Sequence, residues 1–401
     1  MAPRLRRIFL NSLVVMVALL AFSGAQHVAA APAQQQLLPA GPAPEVPSPT
    51  DPPVLLAAGD IALCNVDQDS LTAYLLDANP GIVLGIGDND QKGGSLQEFT
   101  DCYGPTWGRH LDRIYPVPGN HEYATGGASG YFTYFGDRAT PLEPGCRKDC
   151  GGYYSFNYGG WHIVALNSEI PSDPGTLQEQ WLRADLEANP SVCTLAFWHR
   201  PRYSSGSTLG GGSQGLWNAL YEYGADIVLS GHDHAYERFA PQDGSAQLDN
   251  ARGIRQFVVG TGGNGLRDFR YIQPNSEARN SETWGVIKFT LRPDSYDWEF
   301  LPIPGKNWTD SGSAACVTAP GVPTQRTTIP VVNATGATTA VSLTPGAGAK
   351  YTIVAGDTIS LIALRYGLDW RELAAANGLT EESIIEIGQV ITLAGVDDAT
   401  A

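Results

Sequence analysis

The residues best suited to chemistry in this sequence are histidines, carboxylates and one amide that follow short apolar runs. His232 and His234 stand two positions apart, just after the run that ends at Leu229. Such a run predicts a buried strand, and crevices at the carboxyl ends of strands are the usual ligand sites of α/β sheets. Imidazole is a common ligand of borderline metal ions, so the pair indicates a metal centre. A turn with one solvated histidine is the alternative for this motif alone.

The same arrangement recurs after four more apolar runs, whose following residues are Asp60, Asp88, Asn120 with His121, and His199. Any single one could be an ordinary turn, because Asp and Asn after Gly favour turns. Together the five sites hold four of the seven histidines in the chain. A carboxylate, an amide and several imidazoles that converge would form a mixed oxygen and nitrogen shell for Zn, Mn or Fe.

The elements that must position these residues alternate between strand-like and helix-like patterns. Helical spacing predicts helices over 69–79, 176–189 and 214–223, and a hairpin is predicted for 153–166. Later strands at 255–259, 286–291 and 296–301 have few helices between them. The pattern predicts a mixed α/β (α+β) fold in which two mixed sheets pack together with helices outside.

Sequence patterns near the N-terminus and in the C-terminal part predict that the protein is exported and that it consists of separate domains. Three arginines, an apolar core over 13–22 and Val28-Ala29-Ala30 form a signal-peptide pattern over residues 1–31; a retained membrane anchor is the alternative. No other segment is expected to span a membrane. A Pro-rich and Gln-rich lead-in over 32–53 is predicted to be disordered, the main domain to span 54–316, and 317–348 to be a linker before a compact unit at 349–396.

Net charge and cysteine content limit the possible binding partners of the protein and the cellular compartment in which it works. The net charge of −16 argues against nucleic acid as the main partner, although a metal ion could still attract small phosphoesters. Six cysteines in an exported chain favour disulfides. Cys146 and Cys150 are the expected pair, with half of a zinc site as the alternative, whereas Cys64–Cys102 and Cys193–Cys316 are only guesses.

The ordered set Gly87-Asp88, Gly119-Asn120-His121-Glu122, His199 and Gly231-His232-Asp233-His234 resembles the calcineurin-like metallophosphoesterases, and the purple acid phosphatase branch in particular. The resemblance implies a four-layer sandwich of two sheets flanked by helices, with two metal ions at one edge. It implies that Asp88 bridges the ions, that Asn120, His199 and His232 complete one of them, and that Asp60 and His234 hold the other. His121 would act near the leaving group as a general acid or charge stabiliser, and metal-activated water would be the nucleophile.

The sequence departs from the family at two places. Many members have Asp-x-His in the first block, but here it is Asp60-Ile61-Ala62. Purple acid phosphatases have a tyrosinate three residues after the bridging Asp, where this chain has Gln91. The ion at Asp60 would therefore lack one protein ligand, unless an oxygen of Asp90, of Gln91 or of water completes its shell. We expect no tyrosinate-to-iron colour.

Weaker candidates adjoin the ligands. Arg200 could hold a phosphate as a fork, or it could form a structural salt bridge. Tyr203 could line the pocket. A Ser-Gly loop at 204–212 could contact substrate or be plain surface, and the glycine run at 260–265 is expected to let backbone pass close to the metal site.

The C-terminal unit resembles the lysin-motif (LysM) module through Tyr351 to Ile359, Leu373 to Leu379 and Ile387-Gly388-Gln389. The resemblance implies a small β-α-α-β fold that binds peptidoglycan or a chitin-type N-acetylglucosamine polymer. Its groove would include Gly356, Asp357, Thr358 and Ile387. A purely structural terminal domain is the alternative.

The sequence as a whole predicts an exported, wall-associated phosphoesterase that hydrolyses phosphate monoesters with two Fe, Zn or Mn ions. A phosphodiesterase or nucleotidase on the same site is the first alternative, because substrate choice depends on loops. A catalytically inactive wall-binding scaffold is the second, because the first metal site is altered.

Overall fold

The computed structural model describes residues 45–46, 51–208, 210, 212–317, 349–353, 370–379 and 389–393. Within these residues two large mixed sheets pack face to face. The predicted mixed α/β class and the pair of packed sheets are thus confirmed. The signal peptide, most of the lead-in and linker, and the four candidate glycan-binding residues lie outside the described residues.

The first large sheet has eight strands in the order β1-β5-β6-β7-β8-β10-β9-β11. Its strands in chain order are β1 (Glu45–Val46), β5 (Tyr154–Tyr158), β6 (Trp161–Ala165), β7 (Thr194–Phe197), β8 (Ile227–Ser230), β9 (Tyr236–Phe239), β10 (Arg255–Val259) and β11 (Ser276–Asn280). The predicted hairpin is β5 and β6, which pair antiparallel. Strands β6, β7, β8 and β10 run parallel.

The second sheet has six strands in the order β14-β13-β12-β2-β3-β4. Its strands are β2 (Val54–Ala58), β3 (Ile82–Ile86), β4 (Ile114–Val117), β12 (Gly285–Leu291), β13 (Ser295–Pro302) and β14 (Ser311–Ala315). Strands β2, β3 and β4 are parallel neighbours, and β3 is buried at all five positions. Continuous apolar strands of this kind are typical of parallel sheets covered on both faces.

Aromatic rings join the two sheets along their whole contact. Phe257 lies 5.2 Å from Phe289, measured between ring centroids. Tyr115 stacks on Phe156 at 4.1 Å, and Trp161 meets Tyr296 at 5.8 Å. Because these rings exclude water from the space between the sheets, they provide the rigid base from which the loops at the sheet edge project.

Helices cover the outer faces, as the amphipathic patterns predict. The helices are α1 (Gln68–Ala78), α2 (Leu96–Glu98, continued as a π-helical turn at Phe99–Tyr103), α3 (Ser129–Phe135), α4 (Leu177–Ala188) and α5 (Gln214–Glu222). Short 3₁₀ turns lie at Trp107–Arg113, Glu122–Ala124, Gly126–Ala128 and Gly136–Arg138. Trp181 of α4 and Trp217 of α5 are buried in a second apolar cluster with Val164, Ala196 and Val228 of the eight-stranded sheet.

Three disulfides stabilise the domain: Cys64–Cys102, Cys146–Cys150 and Cys193–Cys316. The predicted Cys146–Cys150 pair is present, and so are the two pairings that the sequence left as guesses. Cys193–Cys316 fixes the residue that precedes β7 to the segment after β14, over a sequence separation of 123 residues. Closing so long a loop restricts the unfolded chain strongly.

Beyond the main domain, β15 (Ala349–Thr352) and β16 (Val390–Leu393) pair antiparallel, and α6 spans Trp370–Ala376. Asn377 follows α6 and ties it to β16, because its side chain donates to the Thr392 carbonyl and accepts from the Thr392 amide. The first of the two helices that the LysM resemblance implies falls in the part of the chain outside the described residues.

Two further findings concern the chain before and across the domain. Glu45–Val46 lies in the segment predicted to be disordered but forms strand β1, which pairs parallel with β5. No helix in the described part of the chain combines the length and apolar character needed to cross a bilayer.

Candidate metal centre

Five strand ends from both sheets meet at one edge of the sandwich. In the six-stranded sheet, the parallel strands β2, β3 and β4 lead into Asp60, Asp88 and Asn120. In the eight-stranded sheet, the parallel neighbours β7 and β8 lead into His199 and His232. Carboxyl ends of parallel strands lie on the same side, so the topology itself brings these residues together.

The contacts between the two sheets at this edge are direct. His199 Nδ1 donates to the carbonyl of Ile86, the last residue of β3, at 3.0 Å. The amide of His232 donates to Asp60 Oδ2 at 2.7 Å. The site is thus assembled across the sheet interface, and its geometry depends on the packing of the two sheets.

One group of side chains is centred on Asp88. Its Oδ2 atom lies 3.1 Å from His199 Nε2, and His199 Nε2 lies 3.2 Å from His232 Nδ1. One ligand-type atom from each of Asp88, His199 and His232 lies within 4.8 Å of the other two. Asp88 and His199 are buried, so this cluster is largely shielded from bulk water.

This cluster fits a metal ion. Because His199 Nδ1 donates to a carbonyl, its Nε2 atom faces the Asp88 carboxylate and the His232 ring. When His199 Nε2 is unprotonated, it and Asp88 Oδ2 are both hydrogen-bond acceptors. Two acceptor atoms at this distance repel each other unless a proton or a cation lies between them. Burial lowers the pKa of His199, but Asp88 outweighs it and raises that pKa to about 10. Burial and His199 lower the pKa of His232 to about 4. His199 thus carries a positive charge beside the Asp88 carboxylate, at a place where a metal ion could supply that charge instead.

Asn120 provides a second sign that the site suits a cation. Its Oδ1 atom is buried and has no hydrogen-bond partner among the described residues. Unpartnered buried oxygens are rare in native proteins, and an ion at the site is one standard reason for them. Asn120 lies between Gly119 and His121, which both adjoin Asp88.

A second group of side chains is centred on Asp60. His234 Nε2 lies 3.2 Å from Asp60 Oδ1, while His234 Nδ1 donates to the Gly265 carbonyl at 2.8 Å. A histidine whose far nitrogen is fixed by a carbonyl is the usual arrangement around a metal. Burial raises the pKa of Asp60, but His234 and the other histidines lower it well below 3.8, so the carboxylate is ionised.

Gln91 enters this second group as a donor. Its Nε2 atom donates to Asp60 Oδ1 at 3.1 Å, and its Oε1 atom accepts from Asn264 Nδ2 at 2.6 Å. In this arrangement the Gln91 oxygen does not complete a ligand shell at Asp60. Asp90 uses Oδ1 to accept backbone N–H groups of residues 92–94, and its buried Oδ2 has no partner within the described residues.

The backbone at the site is strained where the ligands sit. Asp60, Asp88 and His232 adopt left-handed conformations with φ of 59°, 47° and 69°. Non-glycine residues adopt this region rarely, and they concentrate at functional sites. The glycine run behaves as predicted: a Cβ at Gly260 would lie 2.7 Å from Asp60 Oδ2, so only glycine allows this close passage.

Glu122 and His121 both contact the Asp88 group. Glu122 does so from the buried side and His121 from the partly exposed side. The buried Glu122 carboxylate accepts the amides of Asp88, Asp90 and Gly119 at 2.9, 3.1 and 2.6 Å. Burial and the charge of Asp88 raise the pKa of Glu122 to about 8. The amide of His121 donates to Asp88 Oδ1, while its side chain, 34% exposed, keeps Nε2 3.8 Å from Asp88 Oδ2.

The two weaker candidates differ in their placement. The Arg200 side chain is held by Glu169, to which Nε donates at 2.9 and 3.0 Å, and its Nη1 atom lies 3.1 Å from His232 Nε2. Arg200 therefore adjoins the site. The Tyr203 hydroxyl donates to the Asp243 carbonyl and accepts from the Ala246 amide, so this hydroxyl is already engaged, and a role of Tyr203 in the pocket stays a prediction.

The Ser-Gly loop is a braced structure. Asp233, which stands between the two histidines of the motif, accepts the hydroxyls of Ser204, Ser207 and Thr208. The loop is therefore coupled directly to the turn that carries His232 and His234.

Comparisons with known proteins agree with this geometry. The family model for calcineurin-like phosphoesterases matches residues 44–236, and the model for LysM domains matches 351–394. The chain carries a calcineurin-like phosphoesterase domain. This result confirms the predicted family for the main domain and the predicted LysM module.

Curated relatives point to one branch of this family. Purple acid phosphatase 15 of Arabidopsis thaliana is 32% identical over 253 residues, which cover 55% of this chain and 47% of that protein. Probable purple acid phosphatase 20 of the same plant is 36% identical over 204 residues, 45% of this chain and 46% of that protein. The chain thus spans about half the length of the curated relatives it matches.

Among solved structures, purple acid phosphatase PPD1 of yellow lupin aligns with a TM-score of 0.53 at 20% identity. The alignment covers 67% of this chain and 55% of that one. At this identity the match shows the fold. The calcineurin-like sandwich is therefore the architecture that places the five strand ends together.

Sequence reasoning missed several residues around the phosphoesterase site. Glu169 and Asn264 lie far from the motifs in sequence, and only the fold brings them against Arg200 and Gln91. The role of Asp233 could have been predicted from the sequence. It stands between two candidate ligands, where a carboxylate can accept hydrogen bonds from a loop that passes over them.

Proposed function

We propose that this chain hydrolyses phosphate monoesters at a centre that binds two metal ions. The convergence of Asp88, His199 and His232 within 4.8 Å, with Asp60 and His234 beside them, is the observation that carries the proposal. The names of the plant relatives, which are purple acid phosphatases, support an acid-phosphatase-type substrate.

The ligand assignment follows the two groups of side chains. In this proposal Asp88 contacts both ions, Asn120, His199 and His232 complete one shell, and Asp60 and His234 belong to the other. Two bound ions of Fe, Zn or Mn would supply an activated water and stabilise the charge that develops on the phosphoryl group. A shell at Asp60 that is completed by water oxygens would favour the harder ions.

The protein's own groups have distinct tasks in this proposal. His121 stands on the open side of Asp88 with its backbone fixed by that carboxylate, so its imidazole can donate a proton to the departing oxygen. Arg200 is pre-oriented by Glu169 and can orient a non-bridging phosphate oxygen. Glu122 keeps the backbone of residues 88–90 and Gly119 in register beneath the site.

The decisive experiment measures metal content and turnover on the same preparations. Plasma mass spectrometry of the purified chain is combined with hydrolysis of phenyl phosphate, a monoester, and bis(p-nitrophenyl) phosphate, a diester. We expect about two transition-metal ions per chain and faster turnover of the monoester. Faster turnover of the diester would move the assignment to a phosphodiesterase. No turnover after addition of Zn, Mn or Fe would move it to an inactive scaffold.

We further propose that the LysM module tethers the exported enzyme to a wall polymer of N-acetylglucosamine, through Gly356, Asp357, Thr358 and Ile387. The LysM match and the three disulfides support an extracellular, wall-associated location. The full chain should bind insoluble peptidoglycan or chitin, and soluble N-acetylglucosamine oligomers should release it. It should not bind cellulose. No retention on either polymer would contradict the tether.

A further inference from the structure

Two side chains of the proposed reaction come from different sheets, and a buried network of hydrogen bonds joins them. His121 follows β4 of the six-stranded sheet, and its Nε2 atom lies 3.8 Å from Asp88 Oδ2. Arg200 follows β7 of the eight-stranded sheet, and its Nη1 atom lies 3.1 Å from His232 Nε2. The separation of these two side chains is therefore not set by either sheet alone.

Asn167 connects the two sides. It follows β6, which pairs parallel with β7. Its Nδ2 atom donates to the Tyr123 hydroxyl at 2.8 Å, and its Oδ1 atom accepts the amide of Glu169 at 3.0 Å. Tyr123 stands two residues after His121, and Glu169 is the carboxylate that accepts from Arg200 Nε. One amide side chain thus joins the segment that carries His121 to the residue that holds Arg200.

Asn167 is itself held in one orientation. It is fully buried, and its Nδ2 atom also donates to the Gly151 carbonyl at 2.9 Å. Its backbone amide donates to Gln178 Oε1 at 2.7 Å, and its carbonyl accepts from Gln178 Nε2 at 2.8 Å. The side-chain oxygen and both hydrogens of the side-chain nitrogen are thus used. Reversing this amide would break three hydrogen bonds at a buried position, which is costly.

The residue between Asn167 and Glu169 strengthens the link to Arg200. The Ser168 hydroxyl accepts the backbone amide of Arg200 and donates to Glu169 Oε1, each at 3.0 Å. Glu169 in turn accepts from Arg200 Nε through both carboxylate oxygens. The segment 167–169 thus fixes Arg200 at its backbone and at its Nε atom, while the Arg200 side chain stays 41% exposed.

We propose that Asn167 is a positioning residue, which fixes the separation of the His121 imidazole and the Arg200 guanidinium. This inference rests on the proposed function, in which His121 protonates the departing oxygen and Arg200 orients a non-bridging oxygen. Both groups reach the same phosphoryl group only when their spacing matches it. Asn167 acts through Tyr123 on one side and through Glu169 on the other, and it belongs to neither group of metal ligands.

The first variant loosens the His121 side in the metal-loaded full chain. Tyr123→Phe removes the acceptor of Asn167 but keeps the ring. We expect kcat on phenyl phosphate to fall about fivefold, the effect of one ordinary hydrogen bond. With p-nitrophenyl phosphate, kcat should stay within about twofold, because that leaving group departs without a proton.

The second variant loosens the Arg200 side. Glu169→Gln removes the charge that holds Arg200. We expect kcat/KM to fall roughly tenfold on both substrates, mainly through KM, as for a partly exposed charge-assisted hydrogen bond. Calorimetric binding of inorganic phosphate, which requires no turnover, should weaken by the same factor.

Asn167→Ala should combine the two effects. We expect kcat/KM to fall roughly 50-fold on phenyl phosphate and about tenfold on p-nitrophenyl phosphate, with two ions per chain still bound. Adding Tyr123→Phe should produce no further dependence on the leaving group, because both changes remove the same hydrogen bond. Asn189→Ala is the matched control. It removes an amide that donates to Asp185 at the opposite end of α4 from Gln178, and it should leave both substrates unchanged.

The outcomes distinguish this inference from the function on which it rests. Absence of phenyl phosphate hydrolysis by the metal-loaded unaltered chain would overturn the proposed function. With that hydrolysis present, equal losses on the two substrates in Asn167→Ala, no loss at all, or loss of a metal ion would overturn the positioning role. If Asn167→Ala does not fold, the nearly isosteric Tyr123→Phe decides, and an equal or absent change of kcat on the two substrates would overturn the inference. Unchanged phosphate binding in Glu169→Gln would overturn its Arg200 side with or without turnover.

Discussion

The two halves of the metal site are built from similar residues but in different ways. The Asp88 half has a carboxylate facing two imidazoles, beside the Asn120 oxygen that has no partner in the described part of the chain. The Asp60 half has one carboxylate and one imidazole, and the side-chain amide of Gln91 donates a hydrogen bond to that carboxylate. In the proposed two-ion centre, the fold thus keeps the ligand set of one ion while the group around the other has a different chemistry.

The difference also appears in what supports each half. Beneath Asp88, Glu122 fixes three backbone amides through a buried carboxylate. Beside Asp60, the corresponding support is the hydrogen bond between the side chains of Gln91 and Asn264. We expect the Asp88 half to bind its ion more tightly, because it has more ligands and is more firmly pre-organised.

The largest expected effect is on the shared ligand. Asp88→Ala should remove both ions and lower kcat on phenyl phosphate by at least 10³-fold, because the bridge and the charge stabilisation are lost together. Metal content and turnover are measured together. Asp297→Asn, at an exposed ion pair, is the matched control and should keep both. Retention of two ions in Asp88→Ala would refute the bridging role.

Substitution of His121 should lower catalysis without removing metal ions. His121→Ala is expected to lower kcat about 10²-fold, the usual contribution of a general acid, while two ions per chain remain bound. Substrates with a better leaving group, such as p-nitrophenyl phosphate, should lose less, because their departing oxygen needs no proton. A loss of one ion in this variant would show instead that His121 is a ligand.

Gln91 offers a way to make the two halves alike. Gln91→Glu keeps the acceptor for Asn264 but replaces the donor to Asp60 with an oxygen, so affinity for the ion at Asp60 should rise about tenfold, by analogy with other added carboxylate ligands. Without metal the two carboxylates repel, so the midpoint of thermal unfolding should fall; metal should then raise it. Gln180→Glu on α4 is the control, and equal metal affinities in Gln91→Glu and the unaltered chain would contradict the account.

The smallest expected effect concerns stability away from the site. Burial raises the pKa of Asp226 from its ordinary value of 3.8 to about 8, against the effect of amide hydrogen bonds from Thr194 and Val317. A raised pKa means that the folded state binds the proton more tightly, so this contribution is full below pH 4 and is lost as pH rises towards 8. Asp226→Asn should flatten the fall of the thermal midpoint over this range, whereas Asp112→Asn should not.

Sequence patterns could predict most of the site because its ligands directly follow strands. Asp60, Asp88 and His199 each succeed an apolar run, and parallel strands carry such residues to one edge. The same reasoning predicted helix α4 within one residue at each end, since Leu177, Trp181 and Leu186 lie near helical spacing.

Other features depend on contacts between residues distant in sequence and could not be predicted this way. Gln91 was one of three possible sources of an oxygen ligand at Asp60, with Asp90 and water, but its oxygen accepts a hydrogen bond from Asn264, 173 residues later, and its amide nitrogen donates to Asp60. Strand β9 was missed because Tyr236–Phe239 contains two charged residues, Glu237 and Arg238, which are satisfied only by partners on the loops and strands around it.

The most direct test of the central claim is the order in which the two ions leave. The metal-loaded chain is dialysed against increasing chelator, and the remaining ions per chain are counted by plasma mass spectrometry, in parallel with Asp60→Ala. We predict two steps of loss in the unaltered chain, with the weaker step absent from Asp60→Ala, and no visible tyrosinate-to-iron band at any stage. Loss of both ions in one step, or a weaker step that survives in Asp60→Ala, would contradict the account.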